Sequence, residues 1–213
     1  MNIKGVIFDS DGTLVDSERI AAGLLWEMLA ERDIQLPQEE VLQRFRGVQF
    51  AVFTQRLAEA YPWLEPESFM RAFRQDSLTL FARSMRPMPG AEAFVSELHL
   101  PKCVASNGPR AKIETCLGTA GLLPHFGEHI VSAYEVKAWK PAPGLILAAA
   151  QVLGLPPEDC LLVDDSHAGV EAGLAAGSWV AGFGDEDFSA YAHEPRFHVT
   201  PTYDQVAALI AGR

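Results

Sequence analysis

Gly5-Val6-Ile7-Phe8-Asp9-Ser10-Asp11-Gly12-Thr13-Leu14 is the stretch that decides the fold. The run before Asp9 is apolar, valine and isoleucine among it, which is the pattern of a strand buried on both faces. It stops at two aspartates one residue apart, and glycine and threonine follow at once. Asp9 then stands at the carboxyl end of the strand, the edge where open α/β sheets bind their ligands. Two carboxylates on a short loop there can share a divalent cation and still leave an oxygen free to attack. The same residues also make an ordinary acidic turn. The stretch alone leaves both readings open.

Downstream of this loop the periodicity is helical. Ile20, Leu24, Leu25, Met28 and Leu29 recur at three- and four-residue steps, predicting a helix from Glu18 to Arg32 with Ser17 as its N-cap. Further helices are expected from Pro37 to Phe45, from Phe50 to Tyr61 and from Glu67 to Ser84, broken at Gly47 and Pro62. Pro87 and Pro89-Gly90 punctuate the end of this helical module. From there strands and helices alternate. Strands are expected at Lys102–Ala105, His129–Ala133, Cys160–Val163, Trp179–Ala181 and Phe197–Val199. Helices are expected at Ala91–Leu98, Arg110–Gly118, Pro143–Leu153, His167–Ala176 and Asp204–Ala211. Such alternation implies a mostly parallel sheet with right-handed crossovers. The expected organisation is an α/β core over 1–16 and 88–213, with an all-helical cap over 17–87 inserted after the first strand.

Composition narrows the function classes. A chain of 213 residues can bury a substantial core, and 48% hydrophobic content argues against disorder. A formal charge of −11 without any basic stripe argues against a nucleic-acid partner. No apolar run is long enough to span a membrane, and no signal-peptide pattern opens the chain. Cys103, Cys116 and Cys160 lack metal-type spacing and read as buried free thiols, which suits a reducing compartment such as the cytoplasm. The expected quaternary state is a monomer, with a dimer as the alternative.

The ends of the expected parallel strands carry a joint pattern. Asp9 and Asp11 follow the first, Ser106 and Asn107 the second, and Asp164-Asp165 the fourth. Lys140 sits in Trp139-Lys140-Pro141-Ala142-Pro143, just ahead of a proline-stiffened helix start. Each alone has a plain structural reading: a turn serine, a solvated lysine, a helix-capping acid pair. Together, at the ends of different strands, they fit phosphoryl transfer. Carboxylates can bind Mg²⁺, a hard cation that prefers oxygen. Lysine and metal neutralise phosphate charge so that a carboxylate can approach phosphorus. A hydroxyl and backbone N–H groups suit phosphate oxygens, and a second carboxylate can move the proton. His167 is expected to be a first-turn helix residue. His99, His125 and His129 lack ligand spacing and are expected at the surface or at caps.

FDSDGTLVDSE, ASNG, WKPAP and LLVDDSHAG, in that order, resemble the four motifs of the haloacid dehalogenase superfamily of phosphohydrolases, in its β-phosphoglucomutase-like subfamily with a helical cap. The resemblance implies a Rossmann-like parallel-sheet core with an inserted cap. It implies Asp9 as nucleophile, Asp11 as general acid/base, and Ser106, Asn107 and Lys140 as phosphate binders. It further implies Mg²⁺ held by Asp9, the Asp11 backbone carbonyl and Asp165, with Asp164 assisting. Gly144 departs from the pattern, since relatives often carry an acid there.

Within the superfamily, dehalogenases lack the second acid, here Asp11, so a phosphate ester is favoured. A Schiff-base chemistry needs a cap lysine, and no lysine occurs between Lys4 and Lys102. Mutase relatives carry a cap histidine and an arginine after the cap glycine. Here Ala21 and its neighbours offer no histidine, and Gln49-Phe50 follow Gly47-Val48. A phosphosugar mutase is thus the alternative enzyme, told apart by an isomerised product. A non-enzymatic phosphate-binding or receiver-type module is the alternative from another class, told apart by turnover. RFRGV, CVASNGP, YEVKAWKP and CLLVDDSHAG extend the resemblance toward sugar-acid phosphatases, with 6-phosphogluconate as leading substrate. The cap's basic residues are all arginines. Arg44 or Arg46, beside Gly47, is the expected grip for a substrate carboxylate, since guanidinium pairs with carboxylate through two hydrogen bonds.

Overall fold

The computed structural model describes residues 2–45 and 50–212. The first strand, β1 (Gly5–Phe8), leads through a loop into α1 (Ser17–Ala30), α2 (Gln38–Phe45), α3 (Phe50–Ala60) and α4 (Pro66–Ser84). The chain continues as α5 (Ala91–Glu97), β2 (Lys102–Ser106), α6 (Arg110–Thr119), β3 (Ile130–Ser132), α7 (Ala133–Val136) and α8 (Gly144–Leu153). It ends with β4 (Cys160–Asp164), α9 (His167–Ala176), β5 (Trp179–Phe183), β6 (Phe197–Thr200) and α10 (Tyr203–Ile210).

The six strands form one sheet in the order β3-β2-β1-β4-β5-β6, and every pair is parallel. Strand order reverses at β1, which lies between β2 and β4. Its carboxyl end is therefore the switch point, where crossovers leave in opposite directions and open a crevice. Successive strand residues face opposite layers. Ile7 packs with Cys103, Ala105 and Leu162 and with Leu145, Ile146 and Ala149 of α8. Phe8 instead meets Phe94 and Phe126 edge-on, at 6.1 and 5.8 Å. With all four β1 residues buried, the strand is fixed from both sides.

The chain divides into two compact units, Met1–Val15 with Arg86–Arg213, and Asp16–Met85. The chain leaves and re-enters the sheet unit side by side, for Val15 and Pro87 form an antiparallel bridge and Met88 N–H donates to Leu14 O at 2.9 Å. The helical unit has its own core, including Leu25, Leu29, Val41, Phe53, Leu57, Phe69 and Phe73. Phe45, Phe50, Phe53 and Phe73 form an aromatic cluster whose Phe50–Phe73 rings lie 4.4 Å apart. Among the described residues, no helix is long and apolar enough to cross a membrane.

Three local expectations change. Asp16, not Ser17, occupies the cap position of α1, and its side chain makes no cap hydrogen bond. The strand expected to run to Ala133 stops at Ser132, whose Oγ accepts from Tyr134 N–H and caps the short helix α7. β5 runs past Gly182 to Phe183. Gly182 lies inside the strand, where a Cβ would meet the rings of Phe197 and Phe188 at 2.7 and 2.8 Å.

All three cysteines are buried and free. Burial pushes the Cys116 thiol up to about 12, and burial with Asp159 and Glu158 nearby pushes Cys160 up to about 11. Cys103 is raised as well, again by burial. Only thiolate reacts, so alkylation at pH 8 is expected to run at least about a hundredfold slower than for a free thiol. Mass spectrometry after iodoacetamide treatment is the check. Rapid labelling of the native chain, rather than of the denatured one only, contradicts it.

Candidate active site

The site begins where β1 ends. Asp9 N–H still donates to Val163 O at 2.9 Å, so the strand geometry carries the first carboxylate to the edge. The next residues fold into a tight loop, with Leu14 and Val15 N–H both donating to Ser10 O at 3.0 Å. Gly12 adopts φ 79°. A Cβ there would lie 2.1 Å from Asp165 Oδ2, so only glycine lets the Asp165 carboxylate rest against this loop. Thr13 Oγ1 fastens it, donating to Asp165 Oδ1 at 2.8 Å. Behind the loop, the buried Tyr203 hydroxyl of α10 donates to Thr13 O at 2.7 Å. Its ring is held between Phe94 and Phe183, at 4.9 and 4.7 Å.

Lys140 is the electrostatic centre. Only 5% exposed, it sits where β1 and β4 end, with Nζ 2.5 Å from Asp9 Oδ1 and 2.7 Å from Asp164 Oδ2. Burial disfavours its charge, but Asp164 and Asp9 outweigh that and raise it above the ordinary lysine value. The same burial pushes the Asp9 carboxyl up to about 7, against the pull of Lys140 and with Asp164 and Asp11 adding to the rise. The backbone at Lys140 is bracketed by one side chain: Asn107 Oδ1 accepts from Lys140 N–H at 2.9 Å and Asn107 Nδ2 donates to Lys140 O at 3.3 Å. The Lys140–Pro141 peptide is cis.

Asp164 is fully buried, and both of its oxygens are engaged. Oδ2 accepts from Lys140, while Oδ1 accepts from Ser166 N–H at 3.0 Å and Ser166 Oγ at 2.7 Å. Ser166 in turn caps α9 by accepting from Gly169 N–H. The helix cap is thus Ser166, and not the Asp164-Asp165 pair. Asp164, expected to assist a metal, has Lys140 and Ser166 as its partners. A Cβ at Gly169 would fall 1.8 Å from Asp164 Cγ, so this glycine makes the space for the carboxylate.

Ser106 ends β2, buried, with Oγ accepting from Gly108 N–H at 3.1 Å. Asp11 projects toward α6, where Lys112 Nζ lies 2.7 Å from its Oδ2. The structure therefore brings Asp9, Lys140 and Asp164 into direct contact. It places Asp11 and Asp165 on the adjoining loops and assigns the Asn107 side chain to the Lys140 backbone. Arg44 belongs to the helical unit, at the end of α2, and pairs with Glu40 one turn earlier. Arg46 and Gly47 lie outside the described residues. At Gly144 a Cβ would meet the Ala138 Cβ at 2.8 Å, a local reason for glycine at this position.

Lys112, Thr13, Tyr203 and Gly169 were not among the expected site residues. Lys112 alone carried a signal: a lysine in the first turn of a helix opposes the helix dipole and calls for an anionic partner.

Comparison with known proteins agrees with this geometry. Residues 3–177 match the family described as haloacid dehalogenase-like hydrolase. The chain is 37% identical over 176 residues to 6-phosphogluconate phosphatase of Escherichia coli K12, covering 82% of this chain and 80% of that protein. It is 35% identical over 193 residues to hexitol phosphatase A of the same organism, covering 84% and 82%. A crystal structure of a haloacid dehalogenase family hydrolase from Deinococcus radiodurans R1, with bound phosphate and sodium, superposes with a TM-score of 0.82 at 30% identity, covering 99% and 96%. With the sheet, the switch-point acids and these likenesses in agreement, the chain belongs to the haloacid dehalogenase-like hydrolase family and is an enzyme.

Proposed function

We propose that this phosphatase hydrolyses a small phosphorylated sugar or sugar acid, with 6-phosphogluconate the leading candidate, through a phosphorylated Asp9. The observation that carries the reading is the buried ammonium of Lys140 bound to both Asp9 and Asp164 at the switch point. A cation there can draw in a phosphoryl group and offset charge as the Asp9 carboxylate approaches it. With Oδ1 held by Lys140, Oδ2 is the oxygen that attacks phosphorus. The P–O ester bond breaks, and Asp11 gives its proton to the departing alkoxide. Water then attacks the acyl phosphate and Asp11 takes its proton. The Asp9–phosphorus bond breaks and inorganic phosphate leaves, returning both aspartates to their starting state. The Ser106 hydroxyl and the N–H groups that follow it suit the phosphate oxygens.

The donor set also fits a metal. Asp9, Asp11, Asp164 and Asp165 face two ammonium groups, an excess of negative charge that a divalent cation offsets. Among the described residues no three His, Cys, Asp or Glu side chains gather into a metal cage. Mg²⁺ does not need one, since it is commonly bound by one or two carboxylates, water and substrate phosphate. Asp9, the Asp11 carbonyl and Asp165 would hold it, while Asp164 holds Lys140. When bound, Mg²⁺ supplies Lewis-acid polarisation of the phosphoryl oxygens.

For selectivity, the reading assigns a substrate carboxylate to Arg44 of the helical unit. Purified enzyme with Mg²⁺ is expected to release inorganic phosphate from a sugar-phosphate panel. The sugar acid phosphates should exceed their neutral counterparts in kcat/KM by about tenfold or more, the worth of one charged hydrogen bond. Arg44→Ala should erase that margin by raising KM for the acids alone. Release of no phosphate from any substrate overturns the phosphatase reading. Isomerised sugar phosphate in its place indicates a mutase.

A further inference from the structure

The ion pair between Lys112 and Asp11 joins residues 101 positions apart, and the four sequence motifs include only one of them. Lys112 lies in the first turn of α6, whose side chains lean back toward the helix N-terminus and so toward the carboxyl edge of the sheet. Its stem passes Gly108, with Cδ 3.6 Å from where a Cβ would stand, and its Nζ reaches Asp11 Oδ2 at 2.7 Å. Both side chains are 27% exposed, so the pair is largely removed from solvent. A lysine at this helical position forgoes the dipole preference for acids. Its contact with Asp11 offsets that loss.

We propose that Lys112 is a positioning residue for the proton-transferring aspartate: it holds Oδ2 of the Asp11 carboxyl group on the loop after β1, so that the other oxygen, which carries the proton when the ester bond breaks, faces the leaving group. The inference rests on the phosphatase reading above and extends it from the four motifs to the first turn of α6. An aspartate on a glycine-containing loop has several rotamers to choose from, and proton transfer is efficient only from the one within hydrogen-bond reach. The 2.7 Å ammonium contact selects one of them.

Leaving-group dependence tests this, because p-nitrophenolate departs without a proton whereas a sugar alkoxide needs one. Lys112→Met should lower kcat/KM for a sugar phosphate by roughly tenfold to a hundredfold, a share of the usual general-acid contribution. For p-nitrophenyl phosphate, kcat/KM should stay within about threefold of wild type, since this parameter stops at the first irreversible step. Lys112→Arg, which keeps a charged donor, should recover most of the loss. In an Asp11→Asn background, Lys112→Met should add nothing further, as expected for residues acting as a unit. Equal losses on both substrates, or a rise in KM for both, mean that Lys112 binds phosphate or merely supports the fold, and overturn the proposal. So does an unchanged Lys112→Met. If that variant melts far below wild type, Lys112→Gln and Lys112→Arg carry the same comparison. Wild-type enzyme that releases no phosphate removes the phosphatase reading and this inference together, whereas active wild type with indifferent variants removes this inference alone.

Discussion

Asp9→Asn is expected to lower kcat by about 10⁴-fold or more, the scale of loss when a covalent nucleophile is removed. It should leave the fold intact. The amide matches the carboxylate in size, and its oxygen can still accept from Lys140 Nζ, now 2.5 Å from Oδ1. Lys140 also keeps Asp164 as a partner, so no charge is stranded in the interior. Stability should in fact move upward in the metal-free protein. Burial raises the Asp9 carboxyl from 3.8 to about 7, so its charging works against folding as pH climbs through that window. The gain in Tm should be small at pH 4 and full at pH 8. The paired observation is chemical: acid-quenched wild type should carry a hydroxylamine-labile phosphate on Asp9, and the variant none. Substantial turnover by Asp9→Asn would end the nucleophile assignment.

How much of this site could be read from sequence depends on how each residue is held. Strand ends are local facts. An apolar run that stops at a polar residue places that residue at the sheet edge, and this gave Asp9, Ser106 and Asp164 their positions along with the parallel order. Lys140 was legible through its prolines, but its burial was not, since a lysine before a proline looks like any solvated lysine. The supports were hidden because they act across long separations. Tyr203 reaches Thr13 over 190 residues, and Thr13 reaches Asp165 over 152. In sequence, Tyr203 lies just ahead of the expected terminal helix and Thr13 is a turn residue. Asn107 follows Ser106 and was expected to bind phosphate with it, yet its side chain brackets Lys140. The expected strand ended at Ala181, short of Gly182, because the rings of Phe188 and Phe197 that cover this glycine come later in the chain.

Gly169→Ala shows what such a hidden support is worth. By helix propensity alone it should stabilise α9 by about 1 kcal/mol. The structure reverses the sign. The new methyl would overlap Asp164 Cγ at 1.8 Å and both carboxylate oxygens at 2.0 Å. Asp164 cannot turn aside cheaply, since one oxygen is tied to Ser166 and the other to the buried Lys140. Breaking a buried pair by displacing one partner costs about 3–5 kcal/mol, which leaves a net loss of roughly 2–4 kcal/mol after the propensity gain. At about 2–4 °C per kcal/mol for a chain of this size, Tm should fall by roughly 4–16 °C. Activity should fall further than stability explains. A lysine misplaced by about 1 Å can cost on the order of 10²-fold in kcat/KM, although Gly169 itself has no side chain to offer a substrate. Gly173→Ala, one turn along the same helix, is the control. There the methyl meets only the Val180 and Leu162 side chains, at 2.6 and 2.8 Å. Overpacking of that kind costs about 1–3 kcal/mol and should leave kcat near wild type. If the two variants lost stability and activity in the same proportion, the link from Gly169 through Asp164 to Lys140 would not be what the active site depends on.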